Sequence, residues 1–137
     1  MMPAPGLQGR AMLKKGFKAL LAEANAAVDA VSVQQAQDLH GRDGVVFIDV
    51  RETQEWNQGH IPGAVHVPRG FLEFIADPEG PGHNPAFASG AQLVIYCGSG
   101  GRSALAAKTL KDMGIDRVSN LVGGIQAWSQ GGGDIET

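Results

Sequence analysis

Short apolar segments alternate with amphipathic segments along the chain. Two of them, residues 45–48 and 93–96, are wholly apolar and rich in β-branched side chains, which is typical of strands buried on both faces of a parallel sheet. Weaker strand patterns cover residues 65–67 and 117–122. Because helical patterns separate these segments, the sequence predicts an α/β fold with a parallel sheet and helices on both faces.

Helices are predicted where apolar positions recur three or four residues apart. The predicted helices cover residues 12–30, 33–39, 52–58, 71–75 and 103–113, with a further short helix containing Trp128. Ser32 precedes the second helix and is a typical N-cap residue. Residues 77–90 are rich in glycine, proline and polar side chains and are predicted to form a long loop. Residues 1–10 are expected to be a disordered start.

The first predicted helix carries an apolar stripe. Its members are Leu13, Phe17, Leu20, Leu21, Ala24 and Val28. An apolar stripe of this size has to be covered, so we expect the helix to dock on the domain or on a second copy of the chain, which would give a homodimer. Three nearby lysines leave open a basic amphipathic helix on a membrane surface, but the apolar face is small, and we expect no membrane partner.

Composition excludes several classes of protein. The chain has 137 residues, of which 43% are hydrophobic and 18% are charged, as in an ordinary globular domain. Eleven basic and fourteen acidic residues give a net charge of −3, which argues against a nucleic-acid partner. No apolar stretch approaches the ~20 residues of a membrane span. No signal peptide pattern follows the N-terminal lysines, so we expect a cytoplasmic protein.

Cysteine and histidine content argues against a metal centre. The single cysteine, Cys97, rules out an internal disulfide framework and a multi-cysteine zinc site. The four histidines are scattered and show no metal-ligand spacing. We therefore predict no metal site.

The strongest chemical signal is the segment Tyr-Cys-Gly-Ser-Gly-Gly-Arg-Ser at residues 96–103. A buried strand ends at Cys97 and a helix begins near Ser103. The intervening glycines allow successive backbone N–H groups to turn inward. The helix N-terminus adds a partial positive charge, and Arg102 adds a full positive charge. Because these effects favour a thiolate, we predict a nucleophilic cysteine in an anion-binding loop. The predicted loop residues are Gly98, Ser99, Gly100, Gly101, Arg102 and Ser103.

Three further polar residues follow predicted strands. Ligands of parallel α/β sheets bind beyond the carboxyl ends of the strands. Asp49 and Arg51 follow the first apolar run, and Arg69 follows the strand at 65–67. We expect Asp49 and Arg51 to orient loops through hydrogen bonds and ion pairs, with Arg51 adding positive potential, and Arg69 to guide anionic substrates. A dinucleotide fingerprint and a P-loop do not fit, because Ser103 replaces the last glycine and no Gly-Lys-Ser/Thr is present.

The chain resembles the rhodanese-like sulfurtransferases in three blocks of sequence. The blocks are residues 47–52 with 55–56, residues 59–68, and residues 94–103 followed by 121–128. They occur in the family's order and spacing and extend over residues 31–130. The resemblance implies a rhodanese-like parallel five-stranded sheet flanked by helices on both faces, with an extra N-terminal helix. It divides the chain into an N-terminal arm and helix at 1–30, the domain at 31–130 and a flexible tail at 131–137.

The resemblance also implies a chemistry. Cys97 would take a sulfane sulfur from a donor, become a persulfide and pass the sulfur to a thiophilic acceptor, which is covalent catalysis. No metal or organic cofactor is needed for this. The implied partners are a small anionic sulfur donor and a thiol or cyanide acceptor, with a sulfur-carrier protein as a further acceptor to consider.

Two alternatives remain open at this point. Phosphatases and arsenate reductases of related fold carry five residues between the cysteine and the arginine, whereas four separate Cys97 from Arg102 here, which favours sulfur transfer. The other alternative is a non-catalytic rhodanese-like binding module. The donor is also open between thiosulfate and a persulfide, because Gly98 and Ser99 stand where members efficient with thiosulfate often carry basic residues.

Overall fold

The computed structural model describes residues 12–137 and shows an alternation of strands and helices. The strands are β1 (Asp29–Val31), β2 (Val45–Asp49), β3 (Val65–His66), β4 (Gln92–Tyr96) and β5 (Val118–Leu121). The helices are α1 (Phe17–Ala27), α2 (Val33–Leu39), α3 (Thr53–Gln58), α4 (Leu72–Ala76), α5 (Gly101–Asp112) and α6 (Gly124–Gln130), with 3₁₀ turns at Arg69–Phe71 and Pro85–Ala88. The predicted start at residues 1–10 lies outside the described residues.

The five strands form one parallel sheet in the order β1-β5-β4-β2-β3. The two most apolar strands, β2 and β4, are neighbours, and their register runs from Val45 opposite Gln92 to Asp49 opposite Tyr96. The predicted α/β fold with a five-stranded parallel sheet is therefore confirmed. The register also brings the carboxyl ends of β2 and β4, and the loops that follow them, to the same edge of the sheet.

A core lies on each face of the sheet, which explains why β4 is apolar at every central position. Leu93, Ile95 and Cys97 point into one core cluster, while Val94 and Tyr96 point into the other. Side chains alternate between the faces of a strand, so the central residues of β4 are buried whichever face they point to. Cys97 thus ends the strand on the face that α5 covers.

The N-terminal part of the domain differs from the prediction. The helix predicted over 12–30 begins at Phe17 and ends at Ala27, and Asp29–Val31 forms strand β1, paired with β5. Three residues are too few for a periodic pattern, and Val28 continues the helical stripe. The sequence pattern therefore does not indicate a strand here. In contrast, the predicted N-cap at Ser32 is confirmed, because its side chain accepts a hydrogen bond from the backbone N–H of Gln35.

Helix α1 packs along α5 and buries only part of its apolar stripe. Ala24 and Val28 are buried, whereas Leu13, Phe17 and Leu20 remain exposed. Docking on the domain thus accounts for one side of the stripe, and self-association through the other side stays a prediction. Within residues 12–137, no helix is both long and apolar enough to cross a membrane.

Residues 131–137, expected to be a flexible tail, lie against the domain. The indole N–H of Trp128 donates to the carbonyl of Asp134 at 2.8 Å. His60 and Glu136 exchange two backbone hydrogen bonds of 2.8 and 2.9 Å, as in an antiparallel bridge. His60 is distant from Glu136 in the sequence, so no local pattern could indicate this bridge.

Candidate active site

The sulfur of Cys97 lies in a loop that points three hydrogen-bond donors at it. The backbone N–H of Gly100 donates to the Sγ at 3.1 Å, and the backbone N–H of Ser103 donates at 3.4 Å. The hydroxyl of Ser103 lies 3.3 Å from the same sulfur. The loop thus places the predicted residues from Gly98 to Ser103 around the predicted nucleophile.

These donors lower the pKa of the Cys97 thiol. The side chain is 1% exposed, and burial alone raises its pKa because it disfavours the charged form. The hydrogen bonds from the hydroxyl and N–H of Ser103 and from the N–H groups of Gly100 and Ser99 act in the opposite direction and outweigh burial. The net result is a pKa below the ordinary value of a cysteine, which increases the thiolate fraction at neutral pH.

Glycine at position 100 allows the loop to turn into helix α5. Gly100 is the N-cap of α5 and has a φ of +109°, a left-handed conformation that side chains other than glycine rarely adopt. The turn directs the Gly100 N–H back towards the sulfur. Gly98 is not in a left-handed conformation, but a Cβ there would lie 3.3 Å from Nη2 of Arg102, so the guanidinium lies directly over the loop backbone.

The first turn of α6 holds the loop from the other side. Backbone N–H groups of Ile125 and Gln126 donate to the carbonyls of Cys97 and Gly98 at 2.9 and 3.1 Å. This approach requires glycine at position 124, where a Cβ would lie 2.5 Å from both of those carbonyl oxygens. The Gly123-Gly124 pair lies within the sequence block 121–128, but its role as a support of the cysteine loop was not predicted.

A buried asparagine beside the loop was also missed. Asn120 lies in β5 and is 7% exposed. Its amide Nδ2 donates to the carbonyl of Gly100 at 3.2 Å, and its Oδ1 accepts a hydrogen bond of 2.6 Å from the hydroxyl of Ser103. The signal in the sequence was a polar residue near the carboxyl end of a buried strand, which is the position where ligand-binding residues of such sheets occur.

Arg102, predicted to supply positive charge to the loop, is paired with a carboxylate. Its Nη1 and Nη2 donate to Oε1 and Oε2 of Glu55 at 2.8 and 2.9 Å. The hydrogen bonds from Arg102 lower the pKa of Glu55 to about 2, so the pair stays ionised at any pH near neutrality. Glu55 also accepts the backbone N–H of Glu52 at 3.1 Å, which fixes it at the start of α3.

Asp49 and Arg51, the two polar residues noted after the first apolar run, form a buried ion pair. The Nη2 of Arg51 donates to Oδ2 of Asp49 at 2.8 Å and to the carbonyl of Gly59 at 2.7 Å. The backbone N–H of Arg51 also donates to Oδ1 of Asp49 at 2.9 Å. The pair ties the end of β2 to the residues after α3, and it does not contact the sulfur of Cys97.

Loss of Arg51 is expected to destabilise the protein strongly. Replacement of Arg51 by alanine leaves the carboxylate of Asp49 buried and unpaired, which costs about 3–5 kcal/mol in the free energy of unfolding. Arg69 provides a matched control because its pair with Glu73, at 2.9 Å, is partly exposed, and Arg69→Ala should cost no more than about 1 kcal/mol. Urea unfolding of both variants checks this, and equal losses would contradict it.

Arg69 stands apart from the cysteine loop. Besides Glu73, it contacts Thr109 on α5, with Nη2 to Oγ1 at 3.3 Å. Since its charge is paired and no contact joins it to the loop in the described part of the chain, its guidance of anionic substrates stays a prediction.

Two open clefts flank the loop. One, of about 420 Å³, is lined by Arg51, Glu55, Gln126 and Ile135 among others. The other, of about 260 Å³, lies between α1 and the loop. The loop residues Ser99, Gly100 and Gly101 line the second cleft, whereas no residue of the loop lines the first.

A buried cysteine follows a parallel strand at its carboxyl end, and its sulfur accepts hydrogen bonds from loop amides at a helix N-terminus, an arrangement that favours a thiolate. The family model described as Rhodanese-like domain matches residues 32–131. The chain therefore belongs to the rhodanese-like domain family.

Two sulfur-related proteins and one solved structure are among the known proteins similar to this chain. Thiosulfate sulfurtransferase 16 of Arabidopsis thaliana is 35% identical over 124 residues, which cover 82% of this chain and 96% of that protein. YrkF of Bacillus subtilis, described as a candidate sulfur carrier protein, is 34% identical over 93 residues; these cover 68% of this chain but 46% of YrkF, so the chain spans about half of that relative. Among solved structures, a Rhodopseudomonas palustris protein of unknown function, described as a possible tyrosine phosphatase, matches with a TM-score of 0.89 and 40% identity, covering 99% of this chain and 100% of that one.

Proposed function

We propose that the protein is a sulfurtransferase that carries a sulfane sulfur on Cys97. The observation that carries this proposal is the set of donors around the sulfur, two backbone N–H groups and one hydroxyl within 3.4 Å. They stabilise a thiolate, and the same glycine-rich backbone suits the terminal sulfur of a persulfide. The similarity to a thiosulfate sulfurtransferase over most of the chain supports the same chemistry.

The reaction takes place in two displacements. The Cys97 thiolate attacks the outer sulfur of the donor, the S–S or S–SO₃ bond of the donor breaks, and the leaving group departs with the electron pair. A thiolate or cyanide acceptor then attacks the outer sulfur of the Cys97 persulfide, and Cys97 leaves as the thiolate, ready for another cycle. No electrons are gained or lost overall, so no redox cofactor takes part.

A phosphatase is the second candidate, because the Rhodopseudomonas palustris neighbour is described as a possible tyrosine phosphatase. The loop is the discriminating feature. Four residues separate Cys97 from Arg102, and the guanidinium that would bind a phosphate is paired with Glu55 in a bidentate geometry. A phosphate ester carries up to two negative charges and therefore needs an unpaired cation more than a singly charged persulfide does, so the geometry favours sulfur transfer.

Parallel assays on one preparation test the proposed function. Thiosulfate and an organic persulfide serve as donors with cyanide as acceptor, while an aryl phosphate and arsenate test the oxyanion chemistries. Saturable thiocyanate formation without phosphate release supports the sulfurtransferase. Phosphate release or arsenate reduction without sulfur transfer assigns the oxyanion chemistry instead, and inactivity in every assay indicates a binding module.

The pairing of Arg102 favours a persulfide over thiosulfate as donor. Thiosulfate is a dianion, and at the mouth of the loop it meets the carboxylate of Glu55 as well as the guanidinium of Arg102. The three arginines considered as sources of positive charge, Arg51, Arg69 and Arg102, are each paired with a carboxylate. A persulfide donor carries less charge and depends less on an unpaired cation.

Glu55→Gln is expected to shift donor preference towards thiosulfate. Removal of the carboxylate charge frees the Arg102 guanidinium for an anionic donor, and an exposed charge interaction of about 1 kcal/mol corresponds to about fivefold in kcat/KM. The ratio of kcat/KM for thiosulfate to that for an organic persulfide measures the effect. Asp112→Asn, which frees Lys108 of an exposed pair on α5, is the control and should leave the ratio unchanged. An unchanged ratio in Glu55→Gln as well would contradict the role of this carboxylate.

A further inference from the structure

Asn120 contacts two residues, Gly100 and Ser103, that also contact the sulfur of Cys97. It lies in the interior of the sheet, opposite Ala30 of β1 and Ile95 of β4. Its side chain reaches the carbonyl of Gly100, whose N–H donates to the sulfur, and the hydroxyl of Ser103, which lies 3.3 Å from the sulfur.

The hydroxyl of Ser103 has one hydrogen and two acceptors. Oδ1 of Asn120 is 2.6 Å from the hydroxyl oxygen, whereas Sγ of Cys97 is 3.3 Å away. The orientation of the carboxamide is determined by its surroundings, because only Nδ2 can donate to the carbonyl of Gly100. The oxygen of Asn120 therefore faces the hydroxyl and competes with the sulfur for its proton.

We propose that Asn120 is a positioning residue for Cys97: it holds the hydroxyl proton of Ser103 while the cysteine is a thiol, and it yields that proton to the sulfur when the thiol ionises. In the thiol state the S–H donates to a lone pair of the Ser103 oxygen, and the hydroxyl donates to Asn120. In the thiolate state the hydroxyl rotates and donates to the sulfur, since a hydrogen bond to a charged acceptor is the stronger one.

The competition makes ionisation of Cys97 harder than it would be in the same loop without Asn120. Ionisation must break the short bond to Asn120 and leave that buried oxygen without its partner, which costs free energy. The loop amides favour the thiolate, and Asn120 moderates their effect. Such a balance suits sulfur exchange, because the thiol that attacks best has a pKa near the ambient pH, and nucleophilicity falls when the pKa is lowered further.

The carbonyl of Gly100 keeps a hydrogen-bond donor if the side chain of Asn120 is removed. The carbonyl of Gly100 also accepts the backbone N–H of Ala104 at 3.1 Å, as the first hydrogen bond of α5. The position of the Gly100 N–H against the sulfur thus does not depend on Asn120 alone. The consequence of truncating Asn120 is therefore dominated by the released hydroxyl.

The test is the pH profile of Cys97 alkylation by iodoacetamide in the full chain, together with the ultraviolet absorbance of the thiolate. We expect Asn120→Ala to lower the midpoint of the alkylation profile by about half to one pH unit, because the hydroxyl of Ser103 then donates its hydrogen bond to the sulfur alone. Ser103→Ala should raise the midpoint. In the double variant the midpoint should equal that of Ser103→Ala, since Asn120 acts through the hydroxyl.

An unchanged or raised midpoint in Asn120→Ala would overturn the proposal. A difference in midpoint between the double variant and Ser103→Ala would overturn it as well. Asn120→Asp keeps the size of the side chain and serves if the alanine variant does not fold. Its carboxylate holds the hydroxyl proton more firmly and also repels the thiolate, so the midpoint should rise, and the part of the rise that acts through the hydroxyl should disappear when Ser103 is also replaced. The proposal rests on Cys97 as the nucleophile of the proposed function, but alkylation needs no sulfur donor, so failure of the one is distinguishable from failure of the other.

Discussion

Replacement of Cys97 by serine should abolish sulfur transfer and leave the protein folded. A serine hydroxyl is not ionised near neutral pH and forms no persulfide, so thiocyanate formation from any donor should fall to the uncatalysed rate. The change in volume is small and the loop donors can bond to an oxygen, so the free energy of unfolding should change by less than about 1.5 kcal/mol. Thiocyanate release and urea unfolding on the same samples measure both effects.

Met113→Ser is the matched control for this variant. Met113 also carries sulfur, but it lies at the end of α5 and is 41% exposed, away from the loop. It should retain full activity. Sulfur transfer by Cys97→Ser at the wild-type rate would show that another group carries the chemistry. If Cys97→Ser loses its activity because it unfolds, Cys97→Ala, which adds no polar group to the loop, decides between a structural and a catalytic role of Cys97.

Gly124→Ala should damage both stability and activity. Its φ of +59° is a left-handed conformation, and the new Cβ would lie 2.5 Å from the carbonyl oxygens of Cys97 and Gly98. Left-handed strain costs about 1–2 kcal/mol and overpacking about 1–3 kcal/mol, so we expect a loss of about 3 kcal/mol. Because the loop must shift to make room, kcat/KM for sulfur transfer should fall by about tenfold or more.

Gly132→Ala separates the two causes. Gly132 has a φ of +85°, but a Cβ there meets nothing within 4 Å. It should therefore show the backbone strain of about 1–2 kcal/mol without loss of activity. If both glycine variants lose the same stability and keep their activity, the close approach of α6 does not support the cysteine loop, and the role assigned to Gly124 is wrong.

The fold was largely predictable because its signals are local. The runs at 45–48 and 93–96 are apolar at every position because both faces of β2 and β4 are covered. Ser32 and Gln35 form a capping box within four residues of sequence. Strand β1 was missed because its three residues pair with β5, about ninety positions away, and carry no pattern of their own.

The candidate site was predictable in its backbone and less so in its side-chain partners. The glycines and Ser103 identified the loop from its own sequence. Glu55 lies 47 positions from Arg102 and Asn120 lies 17 positions from Ser103, and no local rule indicates either pairing. Arg102 was expected to supply net positive charge to the loop, but the carboxylate of Glu55 neutralises it.

The most direct test of the central claim is the intact mass of the wild-type protein after incubation with an organic persulfide. We expect a gain of one sulfur atom, located on the peptide that contains Cys97, the single cysteine of the chain. The added sulfur should disappear when cyanide or a thiol acceptor is supplied, with one equivalent of product formed. A folded protein with an alkylatable Cys97 that gains no sulfur from a persulfide or from thiosulfate would contradict the persulfide mechanism.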